Sequence, residues 1–134
     1  MLTVNWAAVL AATAAYYLLG GLWFTPLFGR LWDRAVGVAR VRGARAPALS
    51  YVAPLVGCFL TSLATSLVVS AFEVTQLGDA LLLGVVLGVG CGAAVSLTNS
   101  PTPTAPHPLL FAAVTGGYHA VGITLATAIV CALG

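Results

Sequence analysis

Hydrophobic residues fill four runs of the chain, at about positions 4–27, 49–72, 79–100 and 108–133, and polar residues collect in the segments between them. Each run is long enough for the ~20 residues that cross a bilayer core as an α-helix. The linkers read GRLWDRAVGVARVRGARAPA, EVTQLG and PTPTAPH. The pattern predicts an all-α, polytopic membrane protein: four transmembrane helices in one compact bundle, with residues 1–134 forming a single membrane domain. In the first linker Leu31, Trp32, Ala35 and Val36 share one helical face against Arg30 and Arg34, which predicts a short interfacial helix.

Composition strengthens this reading. Hydrophobic residues make up 60% of the chain and charged residues 6%, against roughly 25% charged in a soluble domain. A soluble protein of this size keeps too much of its surface in water to hide that apolar content. Residues 2–24 contain AATAA, which resembles a signal-peptidase site, but no positive segment precedes it and the apolar run continues beyond it. A retained first span is expected.

Charge sets the orientation. All five basic residues, Arg30, Arg34, Arg40, Arg42 and Arg45, fall in the loop 29–48, and there is no lysine. Such a cluster beside a span marks the cytoplasmic side and suits anionic lipid head groups. It is too small, and too poor in readers of bases, for a nucleic-acid surface. Both termini are then external, as is the second linker with Glu73 and Asp79.

The end of the first run, LWFTPLFGRLW, is expected to be an exit turn at the cytoplasmic face. Pro26 frees a carbonyl one turn earlier, and Thr25 is placed to back-bond to it. Gly29 suits a left-handed helix end. Trp23 and Trp32 are expected at head-group depth, flanking Phe28, with Arg30 beyond them.

Small residues recur at every fourth position in the third run (Ala80, Gly84, Gly88, Gly92, Ser96, Ser100) and the fourth (Ala112, Gly116, Ala120, Thr124, Ala128, Ala132). These ridges predict close helix packing, either between the two runs or between copies of the chain. A fainter echo, TSLATSL against ITLATAI, fits a duplicated hairpin with both halves in one orientation, unlike an inverted transporter repeat.

Few residues carry chemistry. His119 lies 11 positions into the fourth run, about 17 Å deep by helix rise, where an ionisable group is either functional or hydrogen-bonded as a neutral imidazole. Asn99 closes the third run and Asn5 opens the first, both positions where an amide caps a helix. With Thr115 and Tyr118, Asn99 and His119 form a candidate polar pocket. Cys58 and Cys91 fall at nearly the depth of His119, but no close-spaced ligand pair accompanies them, so no metal or other cofactor is expected. No acidic pair or Ser–His–Asp set and no phosphate-binding loop is present; catalytic residues are not expected.

In order and spacing, Asn5–Trp6, GGLWFTPLFGRLW, LTN and GGYH resemble the small membrane family catalogued as domain of unknown function 1761. The resemblance runs from Asn5 into the fourth run. Here the W-aromatic-Ser/Thr-P-x-x-F-G block is one residue shorter, with Pro26, Leu27, Phe28 and Gly29 in series, and Arg30 stands where lysine is frequent. The resemblance implies four spans, with Trp23, Pro26, Gly29, Asn99, Tyr118 and His119 as its signature, and it carries no catalytic residues to transfer.

Three readings of function follow. The first is a self-associating protein of the cell (plasma or inner) membrane that binds or moves a small solute or lipid through the polar pocket near the cytoplasmic half. The second is an accessory subunit docking on another membrane protein through its Gly/Ala faces. The third is a lipid-acting enzyme with His119 as base. For orientation, alkaline phosphatase fused after residue 134 should be active and a fusion within 29–48 inactive. The reverse pattern would invert the topology.

Overall fold

The computed structural model describes residues 3–41 and 43–134. Four helices among them are long and apolar enough to cross a membrane: α1 (Trp6–Leu27), α3 (Leu49–Ala71), α4 (Leu77–Asn99) and α5 (Pro108–Leu133). Between α1 and α3 lies the short α2 (Gly29–Val36). In hydrocarbon each backbone amide must find its partner within the segment, which is why these apolar runs are helical from end to end. Large side chains such as Leu10, Leu18, Leu60, Leu82 and Val86 cover the outside, the surface a lipid solvent requires.

Helix ends follow local chemistry. The Asn5 side chain accepts from the Ala8 amide at 3.2 Å, capping α1, and its own amide donates to the Leu133 carbonyl at 2.8 Å. One residue thus starts α1 and ties it to the end of α5. At the other end of α1 the proline widens the helix: Trp23–Leu27 forms a π-helical turn in which the Phe28 amide reaches the Trp23 carbonyl at 2.8 Å. A second π-helical turn, Gly88–Ala93, lies within α4.

Helix α5 is the hub. It packs against α1, α2, α3 and α4, and α1 also packs against α3. The core between α1, α3 and α5 is made by Ala12, Tyr16, Cys58, Val69, Ile123, Ala126 and Val130. On the other side of α5, α4 approaches through its glycines. A Cβ on Gly84 would meet the Thr124 Cα at 2.6 Å, one on Gly88 the Ala120 carbonyl oxygen at 2.6 Å, and one on Gly92 the His119 Cβ at 2.7 Å. Gly116 faces Ala93 in turn. Lipid tails are as apolar as leucine, so close contact between backbones, rather than hydrophobic burial, holds such a pair together.

The third and fourth runs therefore pack on each other within one chain, antiparallel. Although α3 and α4 are joined by a short turn, they scarcely meet beyond it. Because α4 cannot leave α5 without losing its backbone contact, substitution there should be costly. Gly88→Ala should lower stability by about 1–3 kcal/mol, the usual range for overpacking. Gly90→Ala, with nothing within 4 Å of its added Cβ, should be near neutral; thermal unfolding in detergent distinguishes the two, and equal melting would refute the contact.

Candidate functional site

Two polar features meet on α5, one inside the bundle and one on its flank. Inside, α1 delivers Tyr16, α3 delivers Cys58, and α5 delivers Tyr118 and His119. The Tyr118 hydroxyl donates to the Tyr16 carbonyl at 3.3 Å, and the Cys58 thiol lies 3.4 Å from the Tyr118 oxygen. The Tyr16 hydroxyl lies 2.6 Å from His119 Nδ1. The rings of Tyr16 and Tyr118 are 5.2 Å apart, in tilted contact. Tyr16 has room only because residue 122 is glycine: a Cβ there would overlap its ring.

On the flank, the gap between α3 and α4 leaves a groove of about 670 Å³, floored by α5. Its walls are mostly apolar, with Leu60, Leu87, Val95 and Ile123 among them. Its polar members are Thr61, Thr65, Cys91, Ser96, Asn99, Thr115 and His119. Three of the hydroxyls are already bonded to their own helices: Thr115 to the Phe111 carbonyl at 2.7 Å, Ser96 to that of Gly92 at 2.9 Å, and Thr65 to that of Ser62 at 3.0 Å. Asn99, exposed at one end, and the half-buried His119 ring therefore carry much of the hydrogen-bonding capacity left to the groove.

The family described as "Protein of unknown function (DUF1761)" matches residues 7–131. The chain belongs to the DUF1761 family. No curated protein and no solved structure matches it.

The four residues of the expected polar pocket divide between these two features. Asn99, Thr115 and His119 line one groove. Tyr118 does not join them: one step along a helix turns a side chain by about 100°, and Tyr118 faces α1 and α3 instead. Asn99 does not supply the expected cap either. Ser100 does, its hydroxyl donating to the Leu97 carbonyl at 2.8 Å.

The exit turn of this DUF1761 chain also differs from the sequence reading. Trp23 is half-buried and turned inward, its indole N–H donating to the Val114 carbonyl at 2.9 Å and its ring 4.5 Å from Phe28. Trp32 packs on Phe24 and Phe111 at 5.0 and 5.5 Å. Gly29 is not left-handed; it begins α2, where a Cβ would crowd the Phe24 carbonyl at 3.1 Å. Gly37, at φ 69°, is the left-handed end, and it closes α2. Thr25 is exposed and makes no side-chain hydrogen bond among the described residues.

The basic loop is divided as well. Arg40 pairs with Asp33 at 2.8 Å and donates to the Phe24 carbonyl, satisfying the broken end of α1. Arg30, Arg34 and Arg45 are exposed, and Arg42 lies outside the described residues.

Sequence reasoning missed Tyr16. The signal was available, because Tyr16 sits 10 residues into α1 and the depth argument applied to His119 applies equally to a phenol there. Its hydroxyl decides the histidine's tautomer. Tyr16 is 1% exposed, and His119 Nδ1 is the partner of its hydroxyl. Were Nδ1 the donor, the phenol hydrogen would be stranded, at a cost of about 1–3 kcal/mol. Tyr16 therefore donates, and the neutral imidazole favoured at this depth carries its proton on Nε2. Histidine-selective nitrogen NMR should find His119 as the Nε2–H form, and Tyr16→Phe should mix the tautomers. A dominant Nδ1–H form would reverse the assignment.

Proposed function

We infer that this DUF1761 protein is a binding protein of the cell membrane that takes a largely apolar molecule sideways from the bilayer into the groove between α3, α4 and α5. The observation that carries this reading is the groove itself. It has about 670 Å³ of space at membrane depth, within the 300–1,000 Å³ of ordinary ligand sites. Its walls are apolar, and it has polar groups at two levels, Asn99 and His119. Polar side chains within a membrane protein ordinarily face a partner or a cavity. With the arginine loop cytoplasmic, Asn99 marks the cytoplasmic end, and Arg30, Arg34 and Arg45 are free to hold anionic lipid beside it.

The other two readings draw less support. Docking on a partner subunit, or on a second copy, through the glycine faces competes with α5, which already occupies Gly84, Gly88 and Gly92. A lipid-acting enzyme would need His119 as a base, yet its Nδ1 is engaged by Tyr16 and Nε2 holds a proton.

Native mass spectrometry of the protein released from mild detergent tests the binding reading. A stoichiometric apolar adduct is expected on the wild type. It should be lost from Ala64→Trp, which places a bulky ring at an exposed position of the groove wall. A wild type free of adducts, or an adduct indifferent to Ala64→Trp, would count against it.

A further inference from the structure

His119 is the one ring shared by the interior cluster and the groove. Its Nδ1 accepts from Tyr16, which leaves Nε2–H as a donor with no partner among the described residues. That nitrogen is not sealed in the core, because the one sealed side-chain polar atom lacking a partner among the described residues is Ser62 Oγ. Beside His119 in the groove wall, the hydroxyl hydrogens of Thr115 and Ser96 are directed to their own helix carbonyls. Cys91 offers only a weakly polar thiol. The middle of the groove thus presents a strong, uncharged N–H among apolar walls.

Depth restricts what can meet that donor. His119 is 11 residues from Pro108, about 17 Å along the helix and near the middle of a bilayer core of ~30 Å. A phospholipid carries its ester carbonyls just beneath a hydrated head group, and drawing them to mid-depth would drag a polar or charged head out of water. A plain hydrocarbon reaches mid-depth readily but offers no acceptor. The remaining chemistry is a neutral carbonyl compound dissolved in the lipid phase, with no hydrated head. A lipid quinone has this form: ring carbonyls on an apolar body with an apolar tail.

We propose that the groove binds a lipid-phase quinone, one ring carbonyl accepting the hydrogen bond from His119 Nε2–H and the tail leaving between α3 and α4. Tyr16 is a positioning residue, since its hydroxyl fixes the tautomer that turns the N–H outward. The two levels of polarity fit this arrangement. Asn99 lies seven residues from Gly92, which touches His119, so the amide stands about 10 Å nearer the membrane surface. It is too far to share the same carbonyl and is placed where an entering ring would first meet a polar contact. Binding alone is assigned to the site. The assignment rests on the lateral-groove reading above.

The test uses the full chain in lipid nanodiscs, labelled at its two histidines, His107 and His119. It is titrated with a para-benzoquinone carrying a short alkyl tail and, separately, with the same tail on a benzene ring. The quinone should shift the His119 Nε2–H resonance and saturate it at one molecule per chain, while the benzene analogue leaves it in place. His119→Phe should weaken quinone binding about three- to tenfold, the loss expected for one hydrogen bond. The resonance shift is read on the wild type, so it stands even if that variant fails to fold. Equal binding of both probes, or quinone binding that leaves the His119 resonance unmoved, overturns the quinone assignment and leaves the groove reading intact. Binding of neither probe overturns both.

Discussion

The close approach of α4 to α5 governs much of this structure. Glycines 84, 88 and 92 bring the two backbones so near that an added methyl group would strike main-chain or Cβ atoms opposite. In water a helix pair can be held at arm's length by large apolar side chains, because hiding those side chains is itself favourable. In lipid that gain is absent, and contact must be dense to be worth making. Once α4 is committed to α5, it cannot also pack along α3, which is held on the opposite flank by α1 and α5. The groove is the space that these two commitments leave.

Polar groups inside the bundle are arranged around the same helix. On the interior side, Tyr16, Tyr118 and Cys58 exchange hydrogen bonds among themselves and with the backbone. Along the groove, several hydroxyls return to their own carbonyls, which lowers the cost of keeping them at membrane depth. His119 alone takes part in both environments. A phenol on one side thus sets which nitrogen of the ring is available on the other, and a part-buried hydrogen bond between α1 and α5 becomes a property of an open surface between α3 and α4.

The proline-marked end of α1 solves a different problem. Pro26 cannot donate, and the π-helical turn around it leaves carbonyls in need of partners. Arg40 reaches back to one of them, while its pairing with Asp33 fixes the loop beyond α2. Trp23 and Trp32 pack on the nearby face of α5. The short α2 buries Ala35 and Gly29 but leaves Leu31 exposed, so its apolar face is only partly used by the protein.

The sequence by itself determined the four helices, the proline-marked end of α1 and the capping of α1 by Asn5. Those features depend on quantities that add along the chain: a bilayer of fixed thickness demands a run of fixed length, and a proline or a capping side chain acts within one turn. The directions in which side chains point were decided only by tertiary structure. Tyr118 stands next to His119 in the chain yet faces the other way, Tyr16 meets His119 from a different helix, and Trp23 turns inward. The spans are apolar on all sides, so no amphipathic stripe fixes their rotation about the helix axis. Small residues mark where two backbones can approach, but they do not say which partner will do so or what space will be left beside them. Rotation and spacing are set when helices meet, and the groove is made by that meeting.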